Sequence, residues 1–136
     1  MRTAIDTNIV SALWSKEPSC QQVLPLLERS HREGALVICG AVYAELLAHP
    51  RSSRKFLDQF LGDTNIAVEF EMDEELWRDA GRRFAAYANR RRGEGGARRL
   101  LADFIVGSHA RLRADRLLTL DSGRYRTDYP ELKVLE

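Results

Sequence analysis

Four carboxylates stand where apolar runs would otherwise continue: Asp6 ends the first apolar strand, Glu45 and Asp103 interrupt apolar helical runs, and Asp121 ends a late strand. Burying an unpaired carboxylate is strongly unfavourable, so several in apolar surroundings need a shared compensating charge, and a divalent cation supplies one directly. Glu45 has Val42 and Leu46 at helical spacing, which predicts a side chain kept from solvent, and Asp103 lies among Leu100, Leu101, Phe104, Ile105 and Val106. Asp103 also has a simpler account as a helix cap, should its helix begin at Phe104. Thr7, Asn8 and Thr119 sit beside the acids and can donate hydrogen bonds that fix carboxylate rotamers; local capping is the competing role for Asn8.

A second group of charges lies in the middle of the chain. An acidic block (Asp63, Glu69, Glu71, Asp73, Glu74, Glu75, Asp79) gives way to Arg78, Arg82, Arg83, Arg90, Arg91, Arg92, Arg98 and Arg99. Arginine's planar donor fork matches phosphate better than lysine's point charge, so Arg90, Arg91, Arg92, Arg98 and Arg99 are candidate RNA contacts. The plainer alternative is a solvated helix face with intrahelical ion pairs. His31 and His49 lie near helix ends, where capping accounts for them, and Ser108 and His109 are read as helix packing.

The elements that must position these groups alternate between strand and helix. Strands are expected at Thr3–Asp6, Ala35–Cys39, Ile66–Phe70, Arg116–Leu120 and Leu132–Leu135. Helices are expected over Asn8–Trp14, Ser19–Arg32 (stripe Val23, Leu24, Leu26, Leu27), Ala41–His49 and Arg54–Leu61. Two more cover Asp73–Arg92 (stripe Leu76, Trp77, Ala80, Phe84, Tyr87) and Leu100–Arg113. Gly34 stops the second helix, Pro50 ends the third, Ser52 or Ser53 caps the fourth, and Gly93–Gly96 reads as a flexible loop. Strands separated by helices argue for a parallel sheet covered on both faces, with sites at the carboxyl ends of its strands, where Asp6 and Asp121 both fall. The 136 residues, 44% hydrophobic, suit one domain with one core. Cys20 and Cys39 are in no metal-ligand spacing, and no apolar run approaches the ~20 residues of a spanning helix. A cytoplasmic protein with neither disulfides nor a leader segment is therefore expected, and the net charge of +1 does not by itself announce a nucleic-acid binder.

Taken in order, Ile5-Asp-Thr-Asn8, Ala-Glu-Leu around Glu45, Ala-Asp-Phe-Ile-Val-Gly-Ser-His-Ala (102–110), and Leu-Leu-Thr-Leu-Asp121 followed by Tyr125 and Tyr129-Pro130 resemble the PIN-domain ribonucleases, most closely the VapC-type toxins of bacterial toxin–antitoxin modules. The resemblance spans nearly the whole chain and implies a single PIN domain over residues 1–136, of α/β class, as a three-layer α/β/α sandwich with a mostly parallel central sheet. It maps Asp6, Glu45, Asp103 and Asp121 onto the family's acidic residues. It implies an endoribonuclease dependent on Mg2+, with Mn2+ as a substitute, that leaves 5′-phosphate and 3′-hydroxyl ends. Asp6 and Asp103 are then first-choice ligands, Asp121 binds through water or serves a second ion, and Glu45 orients water or completes the acidic cluster. A cognate antitoxin and a homodimer are the implied partners, with no membrane association; Trp14 and the 41–47 helix are either contact regions or core. The alternative reading is a catalytically silent PIN-like domain that binds RNA or a protein. An aspartyl-nucleophile phosphatase fits poorly, because Asn8 stands where the second Asp belongs. A receiver-like signalling domain lacks its adjacent acids.

Overall fold

The computed structural model describes residues 1–92 and 99–136. Among these, five short strands, β1 (Arg2–Ile5), β2 (Ala35–Cys39), β3 (Ile66–Glu69), β4 (Arg116–Leu118) and β5 (Val134–Leu135), form one sheet in the order β3-β2-β1-β4-β5. Every pairing is parallel, with Ala4 opposite both Val37 and Leu117. Seven helices of the described residues connect and cover them: α1 (Thr7–Trp14), α2 (Cys20–Glu33), α3 (Gly40–Leu47), α4 (Arg54–Asp63), α5 (Glu74–Arg90), α6 (Leu101–Arg113) and α7 (Ser122–Asp128). The result is the three-layer α/β/α arrangement, in which central strands covered on both faces read as continuous apolar runs, as Ala4–Ile5 and Leu36–Cys39 do. The chain leaves β1 toward β2 and β3, then returns to the other side of β1 for β4. The carboxyl ends of β1 and β4 thus meet where the strand order reverses, which is where open α/β sheets place their sites.

Local chemistry explains the element boundaries. The side chain of Ser53 accepts the Phe56 N–H (3.1 Å) and that of Asp73 accepts the Leu76 N–H (3.0 Å), starting α4 and α5, while Glu74 and Glu75 complement the dipole in the first turn of α5. At the end of α2, Gly34 has φ 157°, and a Cβ there would collide with the Met1 backbone. Arg116, fully buried at the start of β4, donates to Thr3 Oγ1 (2.9 Å) and pairs with Glu33 (2.6 Å), locking β1, β4 and α2 together at the end of the sheet opposite Asp6.

Several expectations need correction. Leu24 and Trp77, placed on buried stripes by their spacing, are both exposed, Trp77 by 48%. Each lies one position beyond a residue that does face the core, Val23 and Leu76. Strand β4 ends at Leu118, not Leu120, so Asp121 is at the N-cap position of α7, a helix absent from the sequence reading. The expected 93–96 loop lies outside the described residues. Of the charged block, Arg78–Glu74, Arg82–Asp79 and Arg83–Asp79 are indeed intrahelical pairs. Asp79 is nonetheless buried, where it also accepts from Ser108 Oγ (2.7 Å).

Candidate active site

Asp6 follows β1 directly and caps α1. Its backbone is extended (φ −77°, ψ 154°), and Oδ1 accepts the Thr7 N–H at 2.8 Å. Oδ2 accepts two hydroxyls, Thr119 Oγ1 at 2.8 Å and Tyr125 at 3.2 Å. Only 8% of Asp6 is exposed, and burial pushes its carboxyl up to about 6, against the lowering effect of these three donors; the negative charge of Asp103 adds to the rise. Thr119 is the hub: it also accepts the Asp121 N–H (3.0 Å) and Asn8 Nδ2 (3.4 Å). Asn8 in turn donates to Asp121 Oδ2 (3.2 Å), and its Oδ1 accepts the Leu120 N–H (3.2 Å). Residues 113 positions apart are thereby joined side chain to side chain.

The other acids surround Asp6 without closing on it. Asp103 lies in the first turn of α6, where its carboxylate accepts the Leu100 N–H (3.0 Å); it is three residues beyond the cap position, so the helix does not begin at Phe104. Glu45 is exposed, contrary to the expectation of a side chain withheld from solvent. It belongs to a helix of only eight residues, whose buried face is confined to Val42 and Leu46. Thr7 Oγ1 donates to its Oε1 at 2.7 Å. Asp121 is exposed too, 3.6 Å from Arg124. Among the described residues no three His, Cys, Asp or Glu side chains gather closely enough to hold an ion by themselves. Each of these carboxylates has a partner of its own: Asp103 accepts from the Leu100 N–H, Glu45 from Thr7, and Asp121 from Asn8 beside Arg124.

Sequence reasoning gave no role to Tyr125, quoted only within the family motif, and missed Arg124; both lie in α7, a helix whose Ser-Gly-Arg-Tyr-Arg-Thr-Asp sequence carries no apolar period. The signal for Tyr125 was its place four residues after Asp121. Burial and the charges of Asp6 and Asp103 raise the Tyr125 hydroxyl above its ordinary range, so it stays protonated and donates. The Arg99 guanidinium lies 5.0 Å from the Tyr125 ring and 4.8 Å from that of Phe104. Of the other arginines, Arg90 pairs with Asp128, Arg91 lies 5.9 Å from the Tyr87 ring, Arg92 is exposed, and Arg98 lies outside the described residues. Of the two readings of Trp14, partner contact or core, the structure shows core: it is buried against the rings of His49, Phe56 and Phe60.

The family profile of the PIN domain matches residues 3–129. The chain belongs to the PIN-domain family. Solved structures share the PIN fold over nearly their whole length. VapBC2 from Rickettsia felis, bound to a promoter DNA fragment, superposes with a TM-score of 0.70 at 20% identity, covering 99% of this chain and 98% of that one. VapBC-1 from nontypeable Haemophilus influenzae gives 0.67 at 18% identity, covering 100% and 98%. FitAcB from Neisseria gonorrhoeae gives 0.65 at 18%, covering 98% and 96%. At these identities the likeness is one of fold. No curated protein sequence matches the chain.

Proposed function

We propose that this PIN domain is a metal-dependent endoribonuclease and the toxin of a type II toxin–antitoxin module. The observation that carries the reading is Asp6: a carboxylate out of water at the end of the central strand, with both lone pairs of Oδ2 engaged by hydroxyls and Oδ1 left with capacity beyond the Thr7 N–H. A protein holds a charge in that situation where something positive is to meet it. The donor set fits a hard cation: the acids offer only oxygen, and no cage of three carboxylates is needed, because Mg2+ keeps several waters and takes one or two carboxylates plus substrate phosphate.

Asp6 and Asp103 are the residues that would hold Mg2+, or Mn2+ in its place, with Asp121 acting through water or toward a second ion. The ion would supply charge to activate water and to offset the negative charge that develops on the phosphate. The protein's own part is orientation. Thr119 and Tyr125 fix the Asp6 carboxylate, Asn8 holds Asp121 on the same hub, and Thr7 points Glu45, which positions water for attack on the phosphodiester. No side-chain nucleophile is required. An antitoxin partner is proposed with the toxin role on the fold shared with the VapBC and FitAcB structures, and a homodimer on the family resemblance of the sequence motifs alone. A reducing cytoplasm suits the two free cysteines, and no helix among the described residues is long and apolar enough to cross a membrane.

The test is cleavage of total bacterial RNA by purified protein with Mg2+ or EDTA, beside Asp6→Ala prepared identically. The expected result is Mg2+-dependent fragments with 5′-phosphate ends, absent from the variant. Equal cleavage by both proteins, or by neither, removes the nuclease reading for the RNA sampled. A silent binding domain then takes its place.

A further inference from the structure

Beside the acidic centre, Arg90 and Arg91 at the end of α5, Arg99 ahead of α6 and Arg124 in α7 line an open cavity of about 330 Å3, together with Tyr87 and Asp128. Among the described residues the lining holds four guanidinium groups and one carboxylate, with Asp103 and Asp121 at its edge beside Arg99 and Arg124. Asp128 is buried and paired with both Arg90 and Arg99, so it organises the arginines around the cavity. Arg99 is held rigidly: 6% of its side chain is exposed, its N–H donates to the Tyr87 hydroxyl (2.6 Å), and Nη1 donates to the Arg124 carbonyl (3.0 Å). Its Nε is buried without a hydrogen bond among the described residues, 3.9 Å from Asp103 Oδ2.

Two of the four arginines that line the cavity also reach the acids, Arg99 toward Asp103 and Arg124 toward Asp121 at 3.6 Å. We propose that the cavity is a phosphate subsite for single-stranded RNA, taking a phosphate next to the one presented to Asp6 and Asp103. Guanidinium forks match phosphate oxygens in geometry as well as charge, and Tyr87 offers a ring face to a base at the rim. RNA is favoured over a carboxylate-rich peptide because Tyr87 in the lining can stack a base, which such a peptide lacks. The inference rests on the nuclease reading for the identity of the strand, but its test does not depend on cleavage.

Binding of a fluorescein-labelled, mixed-sequence 12-nucleotide single-stranded RNA is measured by anisotropy in EDTA across a salt series. Arg90→Gln combined with Arg124→Gln should weaken binding about tenfold at 0.1 M salt. It should also lower the slope of log affinity against log salt by roughly 0.7 for each phosphate that is no longer neutralised. Arg124→Gln alone should give part of both effects, which keeps the test alive if loss of the Arg90–Asp128 pair unfolds the double variant. Arg78→Gln carries the same charge change but pairs with Glu74 outside the cavity, and it should bind as wild type does. Unchanged affinity and slope in the Arg124 and double variants overturn the subsite, even if the wild type cleaves RNA with Mg2+. Conversely, arginine-dependent binding by a protein that never cleaves keeps the subsite and rejects the nuclease reading. Displacement of the RNA by poly-glutamate at equal charge concentration overturns the proposal in favour of an acidic protein ligand.

Discussion

The carboxylate of Asp6 caps a helix, accepts from two hydroxyls and lies out of water, so its ionised form is held against the preference of its surroundings. Its folded value of about 6 lies above the ordinary 3.8, so the folded state binds the proton more tightly than the unfolded chain does. The contribution of this group to stability is therefore fully present below about pH 4 and is lost as pH rises through 6. At 1.36 kcal/mol for each unit, the loss is on the order of 2–3 kcal/mol at pH 7. Urea unfolding in EDTA at pH 5 and 7.5 should show wild-type stability falling with pH more steeply than that of Asp6→Asn; equal slopes would mean that Asp6 is better solvated than the structure shows. At this scale the sequence was legible where an acid broke an apolar run, which located Asp6. It was misleading for Glu45, because Val42 and Leu46 define so narrow a buried stripe on α3 that their neighbour remains in water. The hub at Thr119 was foreseen only as hydrogen bonding in general, since its partners come from residues 6, 8 and 121 and no local pattern announces them.

At the scale of elements, the apolar period and the caps predicted most boundaries to within two residues, because short buried strands and capped helices carry their own signals. Helix α7 escaped because its core contacts are made by Tyr125, Ser122 and Asp128, two of them polar. Trp77 misleads for the opposite reason: an aromatic beside a true stripe residue looks like part of the stripe. Trp77→Ser should therefore shift unfolding free energy by less than about 0.5 kcal/mol, whereas Leu76→Ala should cost about 2–5 kcal/mol, as chemical denaturation would resolve. Where α6 passes Tyr129, Gly107 allows an approach that no side chain could share, since a Cβ there would lie 2.3 Å from the ring. That ring's hydroxyl donates to the Phe104 carbonyl (2.7 Å) and meets Ser108 Oγ at 2.8 Å. Gly107→Ala should lower Tm and cost at least about 1–3 kcal/mol through overpacking, although alanine is the better helix former.

For the whole molecule, the all-parallel sheet and its reversal beside β1 bring distant acids to one rim, and a ligand that binds there must stabilise the assembled fold. Added Mg2+ should raise Tm in proportion to the logarithm of its concentration above Kd, and the shift should be smaller for Asp6→Asn. Equal shifts in both proteins would place the ion elsewhere. The topology, strands joined by helices with Asp6 at a carboxyl end, was readable from the alternation of periods; the strand order was not, because no local pattern states which strands are neighbours. The pairing of β1 with β4 joins residues 3–5 to 116–118, and the hub joins Asp6 to Thr119. A ribosome makes the first of these segments long before the last, so a growing chain holds Asp6 without the groups that orient it until residues 119–125 have been made. The acidic centre can be completed only after those residues have emerged, which delays any activity it has until then.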